Sequence, residues 1–475
     1  MCIRRSIVFL LIAILAAACL SAAASAEEGP QADMEEAAPA GEAAARIIPE
    51  TLSLAQAIDI AIRHNPQVES SRQGMNAAEG HLAQALSYLQ PRLNVSARRV
   101  TPVDLPAFSF QSTDSTWETE FSLSQTLYTG GAVPQGIKAS RSFQHGAEGA
   151  FRRTRQQIAF AVRQSYYGVL TAREAVKVAR EVVDSAEEHL RVAGLRYQAG
   201  IAPQFDVLAA EARVARVEQG LISAIAVRDI AWAGLSTVLG VPIPAGTELS
   251  TPRPVTMVRI DLESLLREAL AQRPDLKTAK AGGAVARTML GVARSARLPT
   301  VSAALTYTLR EQTVIAGELF GIPGEDIIVS QNSGYIALVA NYNLFNGGQV
   351  EGEIRAAKAE LTQAEKGVES LEQQIELEVR SAYLLLAAAK AQVGAAQKEV
   401  TQAQEAHRVA TLRYDEGVGT SVEILDADAN LAGAKTRLNE AIFGINLAVA
   451  HLDLAVGRDW AEVSSLESAG EGASD

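Results

Sequence analysis

Cysteine is nearly absent: only Cys2 and Cys19 occur in 475 residues, both close to the N-terminus. The rest of the chain can hold no disulfide framework, zinc–thiolate cluster or catalytic thiol. Aromatic residues are scarce, at 5%, while Ala is abundant. That mixture suits long, closely packed helices better than one bulky globular core. Positive charge is in deficit: 43 Lys and Arg face 55 Asp and Glu, for a formal charge of −12. Nucleic acid is therefore not an expected partner, because a binder would need a basic surface to displace phosphate counterions and the balance here is acidic. After the N-terminal segment no run of about 18 apolar residues is found, so no membrane-crossing helix is expected. Strands could still enter a membrane.

What is there is enough to fold, with 48% hydrophobic and 21% charged residues. The six histidines are scattered, without an HExxH spacing or matched carboxylates. No nucleophile, base or metal constellation emerges, so neither enzyme activity nor a cofactor is expected. Residues 1–26 read as a signal peptide. Arg4 and Arg5 form its charged start, Ile7 to Leu15 its apolar stretch, and Ala24-Ser25-Ala26 its cleavage site. A second reading is a lipoprotein signal ending in Leu15-Ala16-Ala17-Ala18-Cys19, with Cys19 lipidated. Ala16 stands where that signal usually has a larger aliphatic residue, which favours the first reading. Residues 27–50 make a flexible leader and 461–475 a polar tail.

Between them the chain repeats itself. Pro66 matches Pro274 and Pro91 matches Pro299, each at an offset of 208. From Gly130-Gly131 and Gly347-Gly348 onward the offset is 217, and it holds through Arg163/Arg380, Tyr197/Tyr414, Gly200/Gly417 and Gly240/Gly457. Repeat one is placed at 51–250 and repeat two at 251–460. The nine residues by which the offsets differ fall between Pro299 and Leu344.

Each repeat reads helix, two strands, long helix, turn, helix. Val162, Val169, Val176, Val183, Leu190 and Tyr197 recur every seven residues, with Ser165, Ala172, Ala179, Ala186 and Ala193 between them. Repeat two gives Val379, Leu386, Val393, Val400, His407 and Tyr414, with Ala382, Ala389, Ala396, Ala403 and Ala410. A sustained seven-residue seam requires helices coiled left-handedly, and Ala along it permits close approach. A helix from about Val133 to Tyr197 would be on the order of 100 Å long.

The segments before the long helices alternate with period two, in hairpins at about 92–128 and 300–345. Leu93, Val95 and Ala97 share one face; so do Trp117, Phe121, Leu123 and Leu127. Val301, Ala303, Leu305, Tyr307 and Leu309 follow the rule, as do Ile336, Leu338, Ala340, Tyr342 and Leu344. Such two-faced strands suit a barrel with lipid outside and water inside. Four strands are too few to close one, and open edges cannot sit in lipid. Several chains must then share a barrel.

These motifs, in order and twice over, resemble the outer-membrane efflux protein family, the TolC-like channels. The carriers are YLQPRLNV and ARLPTVSA at strand entry, LSQTLYTGG and NYNLFNGG at strand exit, LRYQAG and LRYDEG at the helix turns, then FDVLAAEA and VEILDADANL. The resemblance covers about residues 51–458. It implies a mainly α fold with a membrane β-barrel: a homotrimer with a helical tube of twelve helices, and four strands per chain in one twelve-stranded barrel. It implies the outer membrane of a Gram-negative bacterium as location, with a long periplasmic extension. The implied role is a passive exit duct for efflux or type I secretion. The implied partners are outer-membrane lipid, a periplasmic adaptor, and an inner-membrane pump of the RND or ABC type. It places adaptor-contact tips at Leu195, Arg196, Tyr197, Gly200, Leu412, Arg413, Tyr414 and Gly417. It places the closed aperture at Glu423 and Asp426, with a Tyr414–Asp206 contact between turns. A latch Arg of the family aligns with Gly419, which predicts a different closure.

Plainer readings stand beside these. The Gly pairs lack a following Gly-Lys-Ser/Thr and are strand-to-helix turns, not phosphate loops. Glu423 alone is also explained by the favourable helix dipole at a helix start; Asp426, three residues on, shares its face. A structural coiled-coil protein of the periplasm or cell surface would explain the heptads, but neither the two-faced strands nor the LRYxxG turns.

Overall fold

The computed structural model describes residues 48–101, 116–251, 261–315 and 326–459. The signal segment with Cys19, the leader up to residue 47 and the polar tail lie outside the described residues.

The elements run β1 (Thr51–Leu52), α1 (Leu54–His64), α2 (Pro66–Ser87), β2 (Arg92–Val100), β3 (Thr116–Thr129), α3 (Ala132–Gln198) and α4 (Gln204–Leu239). The pattern then recurs as β4 (Glu248–Leu249), α5 (Leu262–Gln272), α6 (Pro274–Ser295), β5 (Thr300–Ile315), β6 (Asp326–Asn341), α7 (Gln349–Asp415) and α8 (Ser421–Val456). The long helices α3 and α7 have 67 residues each, and α4 and α8 have 36 each. At 1.5 Å per residue, α3 and α7 are on the order of 100 Å long. Both begin after a glycine at positive φ, Gly131 (95°) and Gly348 (88°), a conformation that side-chain-bearing residues rarely adopt. That is why each hairpin turns sharply into its helix.

The seven-residue seam is where the burial lies. Val162, Val169, Val176, Val183, Ala172, Ala186 and Ala193 are buried in α3, as are Val379, Val400, Ala382, Ala396, Ala403 and Ala410 in α7. Apolar cores form near the middle of the molecule in both repeats. One joins Leu52, Ile58, Val162, Tyr166, Leu170, Leu235 and Leu239; the other joins Leu265, Leu276, Ile375, Val379, Leu452 and Val456. The duplication extends to single hydrogen bonds. Asn65 Nδ2 donates to Val238 O (2.8 Å), and Arg273 Nη1, at the matching position, donates to the matching Ala455 O (3.0 Å). Buried Arg273 is neutralised by Asp275 and Glu378, and Arg163 of α3 by Asp453 of α8 at 3.0 Å.

The four long strands form one antiparallel sheet in the order β2-β3-β5-β6. Its register sets Leu93 beside Leu123, Leu305 and Ile336, and Val95 beside Phe121 and Tyr307, on one face. The other face carries Ser96, Glu120, Thr308 and Ser333 in one row, and Arg98, Glu118 and Arg310 in the next. Arg98 and Arg310 both donate to Glu118, at 2.8 and 3.2 Å. Two expected details change. A bulge between Thr126 and Tyr128 removes Leu127 from its ladder, so Tyr128 stands opposite Val301. β6 also ends at Asn341, so Tyr342 and Leu344 lie beyond it. Among the described residues, the outer edges of β2 and β6 have no partner strand.

α4 is long and apolar enough, by length and composition, to cross a membrane. From Gln219 to its end only Arg228 and Asp229 are charged, and small residues interrupt the apolar runs. Ile222, Val227 and Ile230 are exposed on it.

Candidate functional site

The two helix turns, α3–α4 and α7–α8, are built alike from LRYQAG and LRYDEG. Gly200 and Gly417 take φ of 72° and 73°, and open space surrounds the position where a Cβ would stand. Gly200 N–H donates to Tyr197 O and Ile201 N–H to Arg196 O; Gly417 N–H donates to Tyr414 O and Val418 N–H to Arg413 O. Leu195, Leu412, Val418 and Val422 are exposed around them.

The tips are alike in backbone but not in surroundings. Tyr197 is 46% exposed and Tyr414 only 5%. Arg196, from repeat one, covers Tyr414: its guanidinium carbon is 4.0 Å from the ring centroid. Its Nη1 also donates to Tyr414 O (2.9 Å), and its Nη2 lies 3.5 Å from Asp415. The His189 ring is 5.3 Å from the same ring. Tyr414 Oη is buried with no hydrogen-bond partner among the described residues, so no bond to Asp206 is made within the chain. Asp206 sits half-buried in the first turn of α4.

Arg413, the repeat-two counterpart of Arg196, instead lies 3.3 Å from Glu423 of its own chain. Glu423 and Asp426 are both exposed on α8. Thr420 caps that helix by accepting from Glu423 N–H, so the helix-start reading of Glu423 also holds. Gly419 has a steric reason: a Cβ there would lie 2.9 Å from the Tyr414 backbone nitrogen. This turn therefore excludes an arginine at 419 unless the backbone shifts. A groove of about 460 Å³ beside the tip is lined by Gln402, Glu405, Val409, Ala410, Arg413 and Glu423.

Above the tips a polar seam joins the two repeats. His189 Nε2 and Ser421 Oγ are 2.8 Å apart, Ser185 donates to Asp428 (3.1 Å), His407 Nε2 is 2.7 Å from Asp428, and Lys435 is 2.7 Å from Glu181. Burial pushes the His189 imidazole below its ordinary pKa; the charges of Asp428 and Asp206 oppose this and that of Arg196 reinforces it. Sequence reasoning placed His407 on the seam but missed His189, Ser185 and Asp428. The available signal was position: His189 precedes Leu190, and Asp428 follows Ala427, both on the heptad seam.

No cluster of three or more metal-ligating side chains exists among the described residues. A duplicated chain whose apolar-faced hairpins lead into paired long coils, with an acid-bearing turn at the far end, has the parts of a channel wall. The family model described as outer membrane efflux protein matches residues 57–241 and 265–458. The chain belongs to the outer membrane efflux protein family. It is 28% identical over 392 residues to protein CyaE of Bordetella pertussis, covering 81% of this chain and 80% of that one. It is 22% identical over 406 residues to the outer membrane protein TolC of Escherichia coli, covering 83% and 80%. The fold is that of CusC, whose crystal structures concern transmembrane channel formation. The TM-score is 0.73 at 18% identity, over 85% of this chain and 92% of that one. The efflux protein described here accordingly belongs to the outer membrane, with its helices as the periplasmic part.

Proposed function

We propose that the chain is one of three copies that together form a passive exit duct. The observation that supports this most is the sheet: it is apolar on one face, charged and polar on the other, and, among the described residues, open at both β2 and β6. Such edges are untenable in lipid, and pairing β6 of one copy with β2 of the next removes them. Residues 51–250 and 251–460 then alternate around the wall, and the charged row of Arg98, Glu118 and Arg310 faces the water-filled lumen.

In this reading the aperture is formed by Asp206, Tyr414, Glu423 and Asp426. The tips at Leu195, Arg196, Tyr197, Gly200, Leu412, Arg413, Tyr414 and Gly417 receive a periplasmic adaptor, with Leu195, Tyr197, Leu412 and Arg413 exposed for contact and Tyr414 buried beneath Arg196. An inner-membrane pump of the RND or ABC type supplies the energy and selects the cargo, for efflux or for type I secretion. The chain itself performs no chemistry; its work is to conduct and to close. Replacing Glu423 and Asp426 tests the aperture in planar bilayers: selectivity for cations should fall, and unchanged selectivity would place the constriction elsewhere.

A further inference from the structure

The duplication makes one interface a template for another. In the tip-proximal half the helices lie side by side in the order α4, α3, α8, α7, so α4 and α7 are the free borders of the layer. The central contact is α3 of repeat one against α8 of repeat two. Moving each partner into the other repeat gives α7 against α4, which cannot meet within one chain but can meet between two copies.

The residues at the shifted positions fit. Glu181 and Lys435 pair across α3–α8 at 2.7 Å. Their counterparts at the offset of 217 are Lys398 on α7 and Glu218 on α4, both exposed. The signs are exchanged, yet the pair remains complementary. Ser185 and Asp428 become Gln402 and Glu211, again a donor facing a carboxylate. Tyr167, buried and packed beside Phe443 of α8, becomes Leu384, which is 60% exposed on α7. At the tip Arg196 and Tyr414 become Arg413 and Tyr197. Tyr414 is covered and Tyr197 is bare, as expected if the cover of Tyr197 comes from another copy.

We propose that Arg413 of each copy stacks on Tyr197 of the partner subunit, while Lys398 pairs with Glu218 of the partner subunit. This rests on the multi-chain reading above and adds the register to it. It also gives the tip two settings. In the lone chain Arg413 rests on Glu423. In the completed template Arg196 sits on the tyrosine, and among the described residues no ion pair joins it to Asp206, the counterpart of Glu423. Arg413 therefore exchanges Glu423 for the partner's Tyr197, which unmasks the Glu423 carboxylate toward the aperture. Rupture of the contact returns Arg413 to Glu423 and neutralises it.

The test uses the full mature protein extracted in mild detergent. Native mass spectrometry first reads the number of copies. A Lys398→Cys/Glu218→Cys chain is then treated with a short bis-maleimide, with wild type and Lys398→Cys/Arg228→Cys as controls. The expected result is covalent dimers and trimers from the first pair only. An assembled oligomer that cross-links equally at the control pair, or not at all at 218/398, overturns the register. Monomer alone overturns the assembly reading instead. In planar bilayers Tyr197→Leu should lower cation selectivity several-fold, and adding Arg413→Gln should restore it. Selectivity unchanged in Tyr197→Leu, or not restored in the double variant, overturns the exchange.

Discussion

His189 Nε2 lies 2.8 Å from Ser421 Oγ, tying α3 of the first repeat to the first turn of α8 in the second. The ring is buried and held below its ordinary pKa by that burial. Unfolded or opened, the same ring binds protons at about its ordinary pKa near 6.5. The open state therefore takes up more protons as pH falls through 6.5, and the closed fold loses stability there. Above that pH the contribution is fully present. The melting temperature of the purified protein should be lower at pH 5 than at pH 7.5. His189→Gln, which can still bond Ser421 but does not titrate, should flatten that part of the profile.

The seam sets a second expectation. Ala396 and Ala403 are buried against the neighbouring helix, where Ala403 meets Val400 and Ala434. Replacing either with Leu should overpack the coil by about 1–3 kcal/mol. An unchanged melting temperature would show the seam to be loosely packed.

At the tips the glycines are conformational rather than packed. Gly200 and Gly417 have positive φ and nothing within reach of a Cβ. A Val at either should cost about 1–2 kcal/mol in local backbone strain and leave the core untouched. The protein should still reach the outer membrane in full amount, by quantitative blotting, while efflux of a dye substrate drops. Loss of the protein from the membrane would assign these glycines to folding.

Tyr414→Phe removes a buried hydroxyl that has no partner among the described residues. Thermal stability should hold or rise slightly, because an unsatisfied polar atom is no longer buried. If conductance also rises, the hydroxyl has a partner in the assembled aperture, with the half-buried Asp206 of a neighbouring turn the residue to examine by a double-mutant cycle.

Much of this architecture was legible in the chain. A seven-residue repeat with Ala at alternate seam positions has one stable arrangement, and α3 and α7 follow it through their C-terminal halves, from Val162 to Tyr197 and from Val379 to Tyr414. Strand faces were legible because pleat period and side-chain polarity agree; Leu127 escaped because a bulge obeys backbone twist rather than composition. The Tyr414 surroundings were not legible. Arg196 reaches that ring from a position 218 residues earlier, and only the side-by-side placement of the repeats brings them together. His189, Ser185 and Asp428 were hidden for the same reason, since each looks like an ordinary helical polar residue beside a seam. Gly419 appeared as a missing latch; in this turn a side chain there would force the backbone of Arg413 and Tyr414 to shift.

The central claim is that open sheet edges and bare α4 and α7 borders are completed by further copies of the same chain. Native mass spectrometry of the mature protein, extracted from outer membranes in mild detergent, tests it most directly. The account predicts a mass of three chains that collapses to one on heating. A folded monomer with its sheet intact would contradict it.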